Sequence, residues 1–165
     1  MEILTNLPKE RFLEYKNLKL ESIKSDPLAF SATEEELLKR TDEDWQKDLN
    51  DKHRIFFFAE ENGELVGMAS TQLYVKDRFK HLAFLYSLYV KESQRGKGVA
   101  TLLIQKREEV LKQKGVTQVV CEIYGTQIPS IQLHEKLGYK EAGRIPNFSC
   151  TEDGCVDKIT FYKAI

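Results

Sequence analysis

The stretch Val90-Lys-Glu-Ser-Gln-Arg-Gly-Lys-Gly-Val-Ala-Thr-Leu-Leu103 constrains this chain more than any other. An apolar run, Phe84-Leu-Tyr-Ser-Leu-Tyr-Val90, leads into it, and a helix-like sequence starts inside it. Between the two, Gly96 and Gly98 alternate with the cationic Arg95 and Lys97. Glycine reaches φ > 0 without steric cost and lets a ligand approach the backbone closely. The free N–H groups of a helix N-terminus carry partial positive charge and suit phosphate. Strand, glycine loop and helix start together predict an anion cradle.

The rest of the chain supplies a frame for that loop. At 165 residues it is long enough for one domain, 1–165, with a real core. Hydrophobic content of 41% and charged content of 31% describe an ordinary globular protein. A net charge of −1 gives no basis for bulk nucleic-acid binding. No apolar run approaches membrane-spanning length, and the N-terminus lacks a signal design, so no membrane partner is expected. Three cysteines without metal-ligand spacing fit a reducing cytoplasm and no metal, although Cys150 and Cys155 flank a Thr-Glu-Asp-Gly turn and could meet in a hairpin.

Periodicity gives the elements. Pro8–Lys24 reads as a helix, with Phe12, Tyr15, Leu18, Leu20 and Ile23 along its apolar stripe. Ser31 or Thr33, and then Thr41, precede acidic triplets as helix N-caps. From Asp26 to Asp51 nine acids face three bases, either as solvated helix faces or as an acidic rim for a cationic substrate. Arg54–Glu60, Glu64–Val75 and His81–Val90 form an antiparallel meander, with Asn62-Gly63 as its first hairpin turn. Alternation puts Phe84, Tyr86 and Leu88 on one face and Leu85, Ser87 and Tyr89 on the other. A helix from Gly98 to Lys114 follows, its stripe Val99, Leu102, Leu103, Val110 and Leu111, with Lys106, Arg107, Glu108, Glu109 and Lys112 wet and Gly115 closing it. The strand Val116–Tyr124 then lies parallel to the one ending at Val90. Thr126 or Gln127 caps a last helix ending at Leu137-Gly138, and strands around Tyr139–Phe148 and Cys155–Lys163 make a hairpin across Glu152-Asp153-Gly154. The fold class is a mixed α/β or α+β sheet flanked by helices.

Three phosphate-binding patterns compete for the loop. A Walker A loop needs Gly-x-x-x-x-Gly-Lys-Ser/Thr, a spacing that Gly96-Lys97-Gly98-Val99 lacks. A dinucleotide fingerprint needs a third glycine where Thr101 stands, and its strand should open a βαβ unit rather than end a meander. The third pattern, Arg/Gln-x-x-Gly-x-Gly/Ala, fits Arg95-Gly96-Lys97-Gly98-Val99-Ala100. With it the chain resembles the GCN5-related N-acetyltransferase (GNAT) superfamily. Ser130-Ile-Gln-Leu-His-Glu-Lys-Leu-Gly-Tyr139 is similar to a second signature of the family, Ala-Ile-x-Leu-Tyr-Glu-Lys-Leu-Gly-Phe, and the order of elements agrees over nearly the whole chain.

The resemblance implies a mostly antiparallel twisted sheet with a V-shaped splay between the family's fourth and fifth strands, here Phe84–Val90 and Val116–Tyr124. The pantetheine arm of acetyl-CoA would lie in that gap against the backbone of Leu88, Tyr89 and Val90, as a substitute strand. Its pyrophosphate would sit on the N–H groups of Arg95, Gly96, Lys97, Gly98, Val99, Ala100 and Thr101. Gln127 stands where the family usually has Asn, and Ser130 replaces a common Ala; both would touch the same arm. His134 takes the place of the Tyr that many members use as acid, and it is equally readable as a packed core histidine. Glu122 resembles the Glu of ribosomal-protein N-terminal acetyltransferases and is the candidate base, or else a solvent-facing strand residue. Tyr86 would touch the acceptor or belong to the core. The implied activity is acetyl transfer from acetyl-CoA to a primary amine, a small cationic amine or a protein amine. The alternative is a non-catalytic acyl-CoA-binding or sensory module. Homodimers are common in the family.

Overall fold

The structure, a computed structural model, describes residues 1–151 and 154–165. Short strand β1 (Glu2–Thr5) opens the chain, and α1 (Phe12–Ser25) follows a single 3-10 turn at Lys9–Arg11. Two short helices come next, α2 (Glu34–Leu38) and α3 (Asp42–Leu49). Both start on reciprocal capping boxes, Thr33 with Glu36 and Thr41 with Asp44, which satisfy N–H groups that the first turn leaves orphaned. The meander is β2 (Arg54–Glu61), β3 (Glu64–Leu73) and β4 (Leu82–Val90). Asn62 and Gly63 join its first two strands with φ of 52° and 81°, the two left-handed residues of a type I′ turn. Then come α4 (Val99–Gln113), β5 (Gln118–Tyr124), α5 (Ile128–Lys136) and the hairpin β6 (Lys140–Thr151) with β7 (Gly154–Ala164). The hairpin's expected turn at Glu152-Asp153 lies outside the described residues. Cys150 and Cys155 stand opposite each other in its register and are joined in a disulfide, while Cys121 is buried and free.

The seven described strands form one sheet in the order β1-β2-β3-β4-β5-β7-β6. Every described pair is antiparallel except β4–β5, which needs the α4 crossover. Strand β1 is absent from the sequence reading; four residues pairing at the sheet edge carry too little pattern to show alternation. Helices cover both faces. On one side Leu103, Ile104 and Leu111 of α4 pack on Phe57, Leu85, Val119 and Phe161. On the other, Tyr15 and Leu18 of α1 and the fully buried Trp45 of α3 pack on Phe56, Phe58 and Met68. Consecutive phenylalanines of β2 thus serve opposite cores, as the period of two requires.

Three expectations are corrected by packing. First, the alternation along β4 breaks: Ser87 and Leu88 together face Ala69, because pairing jumps from Ser70↔Tyr86 to Met68↔Tyr89. Ser87 takes φ = 56°, a bulge geometry that swaps the faces beyond it. Leu85 and Leu88 consequently share the α4-side core, and Tyr89 turns to the α1 side. Second, Leu102 of α4 is 42% exposed, whereas Arg107 and Glu108, read as wet, are 1% and 8% exposed. Glu108 is held by the Tyr139 hydroxyl (2.8 Å) and Lys163 Nζ (2.7 Å). Third, Gln127 takes the N-cap position of α5 as expected, but its side chain makes no capping bond.

Candidate functional site

The site begins where β4 and β5 separate. Their pairing runs from Leu82↔Gln118 to Leu85↔Cys121 and stops, although the strands continue to Val90 and Tyr124. Past Leu85 the β5-facing backbone of β4 has no strand beside it. Gly98, at φ = 83°, is the N-cap of α4, and Gly96 has φ = 75°. A Cβ on either would meet nothing within 4 Å, so the loop offers open backbone rather than packed backbone. The first described helical bond runs from Leu102 N–H to the Gly98 carbonyl, which leaves the earlier N–H groups of the turn as potential donors.

A cavity of about 490 Å³ follows this loop into the gap. It is lined by Leu88, Tyr89 and Val90, by Arg95, Gly96 and Gly98 through Thr101, and by Gln127 and Ser130. Every residue proposed above for the acyl-CoA arm borders it except Lys97, whose ammonium is exposed and donates to Gln94 (2.9 Å). The Arg95 side chain is engaged as well, donating to the Val90 carbonyl (3.1 Å) and to Ser25 Oγ (3.2 Å). It ties the loop to β4 and α1, and the backbone is left as the cradle. A phosphate group fits this arrangement, since the glycines cannot carry side chains without strain and the donors converge at one helix start.

A second cavity, of about 240 Å³, lies deeper in the gap and holds all three candidate catalytic residues. Glu122 of β5 is partly exposed there, with Oε1 3.1 Å from Lys158 Nζ of β7. Tyr86 is 44% exposed and stacks on Phe84 at 4.8 Å; its pKa is raised by desolvation, with Tyr74 and Glu122 adding negative charge nearby. His134 is 3% exposed and packs edge-on against Tyr139. Its Nδ1 lies 2.8 Å from the Ser130 carbonyl. A carbonyl only accepts, so the proton sits on Nδ1 and is committed there. Burial, reinforced by Arg107, pushes the His134 pKa down to about 4, against the pull of the Ser130 bond. The imidazole is therefore neutral at pH 7.

Among the cavity residues that sequence reasoning did not select are Lys19, Phe30, Ser87, Arg107 and Lys158. Helical or strand periodicity assigns the three charged ones to solvent, so no local signal places them inward. The acids between Asp26 and Asp51 do not form its rim. Glu36 and Asp44 close caps, Glu34 pairs with Lys24, Glu35 with Lys39, Asp42 with Lys16 and Asp48 with Arg40. Of the run, Asp26 alone borders a cavity described here, the larger one.

A splayed mixed sheet with a glycine-loop cradle at the head of its crossover helix is the architecture that the resemblance to the GNAT superfamily implies. The sequence model of the Acetyltransferase (GNAT) family matches residues 19–139. The SPbeta prophage-derived uncharacterized N-acetyltransferase YokL of Bacillus subtilis is 30% identical over 159 residues, 88% of each chain. This chain belongs to the GNAT acetyltransferase family. Several other curated acetyltransferases match over between 36% and 66% of their own length. A GNAT-family acetyltransferase from Streptococcus pneumoniae shares the fold with a TM-score of 0.86, at 19% identity, over 99% of this chain and 100% of that one. The structure of yncA from Salmonella typhimurium with its cofactor acetyl-CoA gives 0.83 at 17% identity, over 99% and 94% of the two chains. Among the described residues no helix is long and apolar enough to cross a membrane.

Proposed function

We propose that this chain moves the acetyl group of acetyl-CoA to a primary amine held in the smaller cavity, by direct attack in a ternary complex. The observation that carries the reading is continuity: the two cavities share Ala29, Phe30, Leu88, Gln127 and Ser130. A donor running along the glycine loop and an acceptor beside Glu122 would meet at that shared wall. Acetyl-CoA, when bound, supplies the thioester whose carbonyl carbon gains a bond to nitrogen as the C–S bond breaks. The protein's contribution is mostly placement, which can account for much of the rate of such a transfer. The loop N–H groups hold the donor's phosphates, and the unpaired β4 edge from Tyr86 to Val90 orients its arm. Glu122 takes a proton from the acceptor's ammonium, directly or through one water, so that the neutral amine attacks, with Lys158 fixing the carboxylate by one oxygen. His134 is poorly placed to protonate the departing thiolate, because its single proton is held by the Ser130 carbonyl. Ser130 borders both cavities, and its hydroxyl is the better donor to sulfur.

That same neutral histidine favours a second reading, in which the cradle binds acyl-CoA without transferring its acyl group. Thiol release from acetyl-CoA, followed across polyamines, aminoglycosides, amino acids and peptide N-termini, separates the two. Turnover with any of them, falling roughly 10²–10⁴-fold in kcat/KM for Glu122→Gln, is the outcome expected of the enzyme. Tight acetyl-CoA binding with no release across the panel would support the binding module instead.

A further inference from the structure

Helix α1 carries three lysines, and their partners differ. Lys16 pairs with Asp42 at 3.0 Å and Lys24 with Glu34 at 3.0 Å. Lys19 points into the smaller cavity, lies over the Phe30 ring at 4.0 Å and donates to Ser87 Oγ at 3.3 Å. Among the described residues no carboxylate pairs with it. Asp48 of α3 acts on it from a distance but is bonded to Arg40 at 2.8 Å, and Arg54 of β2 adds further positive charge. The remaining lining charges are Arg107, Lys158 and Glu122, and Glu122 is already paired with Lys158. With His134 neutral, the cavity keeps two cations, Lys19 and Arg107, that make no direct ion pair with a carboxylate among the described residues, Asp48 and Glu108 acting on them only at a distance. A charge held away from water is unfavourable unless something pairs with it.

We propose that the acceptor is a small amine carrying its own carboxylate, and that Lys19 Nζ and Ser87 Oγ bind that carboxylate. The assignment rests on the smaller cavity being the acceptor site, as proposed above. The bulge at Ser87 is what brings its hydroxyl to Lys19, one residue from Tyr86 and one from Leu88 on the edge where the donor would lie. A free α-amino acid satisfies both halves of the cavity, with its ammonium toward Glu122 and its carboxylate on Lys19. A peptide N-terminus has a neutral amide at that place, and a polyamine brings only more positive charge. The acidic bias of the sequence from Asp26 to Asp51 therefore has no bearing on the acceptor.

The test compares the common L-α-amino acids, each beside its carboxamide and its decarboxylated amine, in the thiol-release assay with acetyl-CoA. The acids are expected to exceed both analogues in kcat/KM by roughly 10- to 100-fold, the span of a charge-assisted hydrogen bond. That preference should collapse in Lys19→Met and survive in Lys19→Arg. Amides or amines that react as well as the acids, or a preference that Lys19→Met leaves intact, would overturn the assignment while leaving acetyl transfer in place. Binding supplies a readout that needs no turnover: NMR titration of the CoA-loaded protein with N-acetyl-L-amino acids and with their amides. Should no acceptor release thiol, the transfer reading fails by itself, and the titration still decides Lys19. Weaker binding of the amide, with the difference lost in Lys19→Met, supports the carboxylate site; equal binding, or none, overturns it.

Discussion

Arg107 occupies a core position of α4 at 1% exposure, and its Nε and Nη2 have no hydrogen-bond acceptor among the described residues. Burial lowers its pKa, with Tyr139, Cys121 and Glu108 acting the other way, but a guanidinium stays charged in any protein environment. The Tyr139 hydroxyl, which donates to Glu108, can still accept from the guanidinium and relieves it only in part. An apolar side chain would suit the helix better at this point, where Leu103, Ile104 and Leu111 form the same face. The position makes sense if the charge is used: Arg107 borders the cavity in which a thiolate would form, and a fixed cation in a water-poor site stabilises developing negative charge. Arg107→Met is accordingly expected to raise the stability measured by urea unfolding, by about 1–3 kcal/mol. The same variant should lower kcat and leave the KM for acetyl-CoA nearly unchanged. A variant less stable than the parent would show that the guanidinium has found compensation in the folded state.

The elements around the glycine loop separate the local cost of a left-handed residue from its use. Gly98 heads α4 at φ = 83°, and Gly63 closes the β2–β3 hairpin at φ = 81°, each with nothing within 4 Å of a built Cβ. An alanine at either site meets the same backbone penalty, on the order of 1–2 kcal/mol. Only Gly98 borders the larger cavity. Gly98→Ala and Gly63→Ala should therefore lower Tm by similar amounts, a few degrees each. Only Gly98→Ala should also weaken acetyl-CoA, by roughly 10-fold or more in a calorimetric Kd, because its methyl group enters the space of the cradle. Equal affinities in the two variants would remove Gly98 from the donor site. Strand β4 makes a related point: the ladder with β3 is regular up to Tyr86 and the bulge lies where the strand leaves β5, so irregularity is confined to the stretch facing the cavities.

For the whole molecule, what the sequence disclosed is what neighbouring residues determine. Thr33 and Thr41 with their acids, Asn62-Gly63, and the Arg95–Thr101 loop are local devices, readable from identity and spacing. Strand β1, the bulge at Ser87 and the inward course of Lys19, Arg107 and Lys158 are set by partners 40 or more positions away in several cases, such as Lys19 with Ser87, 68 residues apart. No period in the sequence encodes them. These non-local placements leave a signature in global stability, because a buried base that is kept neutral makes folding depend on pH. His134 falls from 6.5 to about 4 on folding, chiefly through desolvation. Between those values the unfolded chain binds a proton that the native state refuses, so stability declines as pH falls from 6.5 toward 4 and rises in the opposite direction. At 1.36 kcal/mol per unit the span is worth about 3 kcal/mol. Lys19, lowered to about 8 from 10.5, carries the same sign in a separate window, with stability rising from pH 8 to 10.5. The carboxylates with depressed values, the half-buried Glu14 and the exposed Asp44, also lose their contribution on acidification, but at and below the ordinary carboxylate range. Urea midpoints for the parent and His134→Phe at intervals from pH 7.5 to 4 isolate the histidine. The gap between the two should move in the variant's favour by up to about 3 kcal/mol on acidification, nearly all of it below pH 6.5. Parallel curves for the two proteins would mean that His134 accepts a proton at Nε2 in the native state, with its Nδ1–H bond to the Ser130 carbonyl kept.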